Sequence, residues 1–306
     1  MDFLYFLEGL RTPWLDAVVA ALTHLGGELV FLIAALVIFW CVDKRQGYYL
    51  LSVGFLGTLV NQFLKITCRI PRPWVRDPGF TIVESARAEA TGYSFPSGHS
   101  TSSVCTFGVI ATEARNLWVR LGAVALCVLI PLTRLYLGVH TPADVLVGSA
   151  ISLFFIIVLR PFVYREDGKH LPKLLAVMLV LAAGFVAYME LFPFPADVDA
   201  ENYQSALKNS YTLLGALLGM IVVWQADRKL DFPTEGVWYA QVLKTVLGLA
   251  IALAVKEGLK APLDTMFGGH MTARAVRYFL LVLVAGIVWP LTFPRFAKLG
   301  RKDETA

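Results

Sequence analysis

Charge is scarce in this chain. Of its 306 residues only 16% are charged, against about 25% in a typical soluble domain. With 57% hydrophobic residues and a mean hydropathy of +0.63, an ordinary soluble enzyme is excluded. Cysteine is sparse as well. Cys41, Cys68, Cys105 and Cys127 all fall in or beside apolar stretches with no CxxC pair, which argues against a disulfide framework and a cysteine metal site. The opening run Met1-Asp2-Phe3-Leu4-Tyr5-Phe6-Leu7-Glu8 lacks the basic leader and small-residue cleavage site of a signal peptide, so it is expected to persist as an interfacial helix. There is no internal repeat and no low-complexity tract. The net charge of +4 is spread over short loops rather than gathered in one basic tract, so nucleic acid is not an expected partner.

What the chain has in abundance is long apolar runs. A spanning helix needs roughly 20 predominantly apolar residues, and nine segments qualify, near 27–42, 47–68, 99–115, 117–136, 142–164, 171–191, 210–227, 237–259 and 272–293. The first is the shortest and borrows length from 14–25. The expected fold class is all-α, a polytopic membrane helical bundle of about nine transmembrane helices plus the N-terminal interfacial helix, integral to the cell inner or plasma membrane. Three regions follow: 1–46 with the interfacial helix and first span, 47–164 carrying the polar motifs, and 165–306 as a C-terminal transmembrane extension.

Basic residues collect after the odd-numbered spans, at Lys44 and Arg45, Arg115 and Arg120, Arg165, Lys169 and Lys173, Arg228 and Lys229, and Arg295, Lys298, Arg301 and Lys302. The positive-inside rule makes those loops cytoplasmic. The acidic loop with Glu190, Asp197, Asp199 and Glu201 then lies outside, and so do three polar clusters. The basic residues of those clusters, with Arg69 and Arg76, run against the rule locally, and a substrate anion would explain why they are kept there. Ionisable groups at membrane depth are costly and read as functional by default.

Lys65 ends an apolar run, and Arg72 follows between Pro71 and Pro73, which stop the helix and stiffen the corner. The two cations either face one pocket or snorkel to lipid headgroups. In Pro96-Ser97-Gly98-His99 a turn precedes a helix whose free N–H groups and positive dipole end suit an anion. Gly98 admits close backbone approach and His99 stands at the mouth; a Ser cap beside an unrelated His reads the same residues more plainly. In the stretch from Thr133 and Arg134 to His140, Thr141, Pro142 and Asp144, Thr141 caps a helix with Pro142 at its first position. Asp144 can reach back to His140 and fix its tautomer.

Taken in order, the clusters read K-x6-R-P, P-S-G-H and T-R-x5-H-x3-D. Over roughly residues 50–164 they resemble the type-2 phosphatidic acid phosphatase and haloperoxidase superfamily, whose pattern has serine where Thr133 stands. The resemblance implies that His140 is the nucleophile that takes the phosphoryl group, that Asp144 orients it, and that His99 is the general acid. Lys65, Arg72, Arg134, Ser97 and the Gly98 backbone would then bind the substrate phosphate. Phosphoryl transfer depends chiefly on positioning and electrostatic stabilisation, which suits three cations. No carboxylate or Cys/His cluster in the motifs reads as a metal site, so neither a metal nor another cofactor is expected.

The reading is a membrane-embedded phosphatase acting from the extracytoplasmic side on a lipid phosphate or diphosphate, with undecaprenyl diphosphate, phosphatidate and phosphatidylglycerol phosphate as candidates by resemblance. A glucose-6-phosphatase-like sugar-phosphate hydrolase and a lipid phosphotransferase are the enzymatic rivals. From another class, a non-catalytic anion transporter or scaffold remains open, and so does the oligomeric state.

Overall fold

Residues 1–165 and 170–299 are described in the computed structural model, and among them helices alternate with loops and no strand occurs. Lys169, Arg301 and Lys302, counted above for orientation, lie outside the described residues. In chain order the helices are α1 Asp2–Glu8, α2 Pro13–Thr23, α3 Glu28–Cys41, α4 Lys44–Cys68, α5 Pro73–Arg76, α6 Gly98–Glu113, α7 Leu117–Tyr136, α8 Pro142–Tyr164, α9 His170–Leu191, α10 Ala200–Leu230, α11 Trp238–Gly258, α12 Lys260–Met266, α13 Thr272–Leu283 and α14 Phe293–Lys298.

Among the described residues seven helical segments are long and apolar enough to cross a membrane, and the pair Pro13–Gly26 and Glu28–Cys41, bent by 46°, makes an eighth when taken as one span. That pair covers the first expected span together with the segment from which it was expected to borrow length. The segment that departs from the expected nine is α6. Its 16 residues rise only about 24 Å at 1.5 Å each, short of a hydrocarbon core of about 30 Å. Its Ser100, Thr101, Ser103 and Thr106 are all buried.

The contacts divide the chain into two units, each discontinuous in sequence. One comprises Met1–Ala34, Tyr49–Phe162 and Leu191–Ala206, the other Ala35–Tyr48, Val163–Glu190 and Leu207–Ala306. In the first, α6 is the inner helix. Asn61 of α4 donates from Nδ2 to Thr101 Oγ1 at 3.0 Å, and Ser152 of α8 donates to the Thr101 carbonyl at 2.8 Å. Such small polar side chains are what let helices approach closely in lipid. Gly148 of α8 belongs to the same seam, because a Cβ there would lie 2.7 Å from the Ser97 carbonyl oxygen.

The expected interfacial helix is the seven-residue α1, and it is anchored to protein. Leu4 joins a core with Phe80, Ile82, Ala86, Tyr136, Leu137 and Val139. Tyr5 donates to Asp77 Oδ2 at 2.9 Å, and Glu8 Oε1 accepts from the Thr81 N–H at 3.1 Å. This packing fixes the loop after α5, whose continuation reaches the motif residues.

In the second unit, Gly215 and Gly219 of α10 face α13, where Cβ atoms would strike the Ala275 backbone and the Val282 side chain. This is the small-xxx-small spacing of helices in close contact. Lys244 is buried with no carboxylate partner among the described residues; its ammonium donates to the Trp40 carbonyl at 2.8 Å and lies 4.4 Å from the Phe293 ring centroid.

Candidate active site

Each motif residue sits at a helix end because its sequence puts a stop there. Lys65 is in the last turn of α4. Arg72 precedes α5, whose first residue is Pro73. Ser97 caps α6, Arg134 is in the last turn of α7, and Asp144 is in the first turn of α8. His140 lies in the α7–α8 connection, where Gly138 turns the chain at φ +78°, a conformation that favours glycine.

These ends meet. Lys65, Arg72, Ser97, Arg134, His140 and Asp144 are all buried. Arg72 donates from Nε to the Gly92 carbonyl at 3.1 Å, from Nη2 to the Thr91 carbonyl at 2.7 Å, and from Nη1 to the Val139 carbonyl at 2.9 Å. The Lys65 ammonium donates to the next carbonyl, that of Tyr93. Three successive loop carbonyls thus aim two cations. The second and third motifs are tied through their backbones, the Ser97 N–H donating to the Asp144 carbonyl at 2.9 Å.

The protonation state of His140 follows from its partners. Arg72 Nη1 lies 2.9 Å from His140 Nε2, and guanidinium only donates, so Nε2 is an acceptor carrying a lone pair. The proton is then on Nδ1, which lies 3.5 Å from Asp144 Oδ2. That carboxylate oxygen also accepts from Ser94 Oγ at 2.6 Å and from the Thr141 N–H at 2.7 Å. Burial, followed by the charges of Arg72, Lys65, Arg134 and His99, holds the pKa of His140 well below the ordinary imidazole value. A neutral, oriented imidazole whose Nε2 lone pair is held by a cation has the form a nucleophile needs once that cation turns to an anion.

Arg134 supplies a second feature. It is fully buried, and Nη1 donates to Thr23 Oγ1 at 2.9 Å. Its Nε and Nη2 have no partner among the described residues. These two groups form one edge of the guanidinium fork, the shape that takes two oxygens of a phosphate. The Gly98 site fits the same purpose: a Cβ there would have only Asn61 Oδ1 within 4 Å, at 3.9 Å, so packing within the protein does not demand glycine.

Several participants escaped the sequence reading. Ser94 braces the Asp144 carboxylate, Asn61 donates to the Pro96 carbonyl at 3.2 Å, and Thr23 holds Arg134. Asn61 left one signal, a carboxamide inside an apolar run; the others left none. Thr133, at the family's serine position, bonds to Thr23 Oγ1 at 3.0 Å and to the Ile130 carbonyl at 2.6 Å. Arg69, read above as a charge kept for substrate, pairs instead with Asp197 at 3.3 Å. Among the described residues no group of three or more His, Cys, Asp or Glu side chains is arranged to hold a metal ion.

Comparison with known proteins gives the arrangement a family. Residues 46–168 match the PAP2 superfamily, and residues 211–302 match the transmembrane extension of PAP2 superfamily phosphatases. Phosphatidylglycerophosphatase B of Bacillus subtilis is 31% identical over 169 residues, 50% of this chain and 77% of that one. The chain belongs to the PAP2 superfamily. Sphingosine-1-phosphate phosphatase 1 of Mus musculus is 25% identical over 286 residues, 91% of this chain and 60% of that relative. Lipid A 1-phosphatase of Rhizobium etli is 30% identical over 121 residues, 40% of this chain and 51% of that one. No solved structure matches the chain. The first PAP2 segment contains all three motifs. The second lies within 165–306, where the sequence offered only apolar spans. An integral membrane phosphatase acting on lipid phosphates is the class in which these matches place the chain.

Proposed function

We propose that this PAP2 phosphatase hydrolyses a lipid phosphate monoester or diphosphate at the extracytoplasmic face, through a phosphohistidine on His140. The observation that carries the reading is the 2.9 Å contact between Arg72 Nη1 and His140 Nε2. It points the nucleophilic lone pair at the cation that a phosphoryl oxygen would engage. Arriving phosphate takes over Arg72 and the free edge of Arg134, and Nε2 forms a bond to phosphorus. The P–O bond to the lipid breaks, and its electron pair stays on the leaving oxygen, which takes a proton from His99. Water then attacks the phosphohistidine, gives its proton to His99, and releases phosphate and His140. Asp144 offsets the positive charge on the ring throughout.

The three relatives' names span phosphatidylglycerophosphate, sphingosine-1-phosphate and lipid A 1-phosphate, which share a terminal phosphate on a membrane lipid. That shared group is the substrate class proposed here. The extracytoplasmic side rests on the distribution of basic loops. The test is phosphate release by purified protein across a panel of these lipids with EDTA present, using His140→Ala as control. Turnover by the wild type and none by the variant is expected; equal turnover by both would remove His140 as nucleophile, and no turnover on any substrate would favour a non-catalytic anion site.

A further inference from the structure

The site holds a carboxylate that none of the three motifs contains. Glu89, in the loop between α5 and α6, lies with Oε2 3.1 Å from His99 Nε2 and Oε1 2.7 Å from His24 Nδ1. The chain His24–Glu89–His99 runs from a ring 63% exposed to one only 16% exposed. His24 lies just after α2, and His99 is in the first turn of α6, so residues far apart in sequence converge on one carboxylate.

The electrostatics give this contact a purpose. The charged or titratable groups acting on His99 are Arg134 from α7, Arg72 before α5, His24 after α2 and Lys65 from α4, with His140 coupled to it from the α7–α8 connection. All are cations or imidazoles. Burial first, and then these charges, make an imidazolium here shed its proton readily, and a general acid without its proton is useless. A carboxylate on the far nitrogen opposes that loss and fixes the ring, as Asp does for His in a triad.

We infer that Glu89 is the positioning residue of the general acid: it holds His99 through Nε2–H, leaving Nδ1–H to protonate the departing lipid oxygen, and is itself braced by His24. The inference rests on the proposed phosphohistidine reading and names how its acid is kept charged. On P–O cleavage the electron pair goes to the leaving oxygen and the Nδ1 proton follows. Attack of water on the phosphohistidine returns a proton to Nδ1, so Glu89 ends each cycle as it began.

The test compares kcat/KM for dioctanoyl phosphatidate, whose leaving group is an alkoxide that needs a proton, with 4-nitrophenyl phosphate, whose leaving group does not. Glu89→Gln is expected to lose about ten- to a hundredfold on phosphatidate, part of the 10²–10⁴ that a general acid supplies. The nitrophenyl ester should be nearly unaffected. The alkaline limb on phosphatidate should move to lower pH, because the imidazolium loses an anion at 3.1 Å. His24→Ala should shift the limb the same way by less. Equal losses on both esters with an unmoved limb would reduce Glu89 to a structural contact, and no loss on either would remove it from the reaction; both overturn the inference. His140→Ala run in parallel separates the two ideas: turnover there refutes the nucleophile, whereas its inactivity beside an unaltered Glu89→Gln refutes only the role given to Glu89.

Discussion

Asp144→Asn is the substitution for which the structure gives the clearest magnitude. The carboxylate oxygen that faces His140 Nδ1 at 3.5 Å also accepts from Ser94 and from the Thr141 N–H. When Nε2 bonds to phosphorus, the ring becomes cationic. A unit negative charge at that distance is worth about 5 kcal/mol at an effective dielectric constant of about 20. An asparagine oxygen in the same place keeps the hydrogen bonds and a fraction of that attraction, so the net loss is about 3–4 kcal/mol, or between two and three orders of magnitude in kcat. If the amide instead turns its NH₂ toward Nδ1, the ring must shift its proton to Nε2, the lone pair disappears, and the loss is larger. The assay is phosphate release from a lipid phosphate by detergent-solubilised protein, with thermal melting to show that the variant is folded. Wild-type kcat in a folded Asp144→Asn protein would refute the electrostatic role assigned to this carboxylate.

Arg72→Lys should lower kcat/KM at least tenfold, because one ammonium cannot reproduce donation to Thr91, Gly92, Val139 and His140 together, and the two cations are not interchangeable at a forked site. Gly148→Ala should destabilise by about 1–3 kcal/mol through overpacking, as its methyl meets the Ser97 carbonyl oxygen at 2.7 Å and Thr101 Oγ1 at 3.0 Å; a melting temperature equal to wild type would show that α8 yields. For pH, the depressed pKa of His140, caused first by burial and then by Arg72, keeps the nucleophile neutral below the ordinary imidazole value of about 6.5. The acid limb of kcat/KM is therefore expected below that pH, and a limb at or above it would contradict the assignment. The same shift makes the unfolded chain bind the extra proton first, so stability at this site is complete above about pH 6.5 and declines as pH falls.

Much of this was legible before the structure. The helix stops at Pro71, Pro73 and Pro142 and the cap at Ser97 placed the motif residues at segment ends, and those ends are where they lie. The basic and acidic side chains of the motifs stood out because apolar surroundings make them costly. The contributions of Glu89, Ser94 and Thr23 were hidden because ordinary loop and helix-end polar residues acquire a role only through long-range contact. The exact count of spans was not legible in apolar runs alone, because α6, at 16 residues with Ser100, Thr101, Ser103 and Thr106 buried, is shorter than the segments long enough to cross. Arg69 misled because its partner, Asp197, is distant in sequence.

The central claim is that His140 Nε2 takes the phosphoryl group. Rapid quenching of the wild-type enzyme with a radiolabelled lipid phosphate, followed by alkaline digestion and peptide mapping, tests it directly. An acid-labile, alkali-stable phosphate on His140, absent from His140→Ala, is predicted; a phosphate on any other residue in a competent enzyme would contradict it.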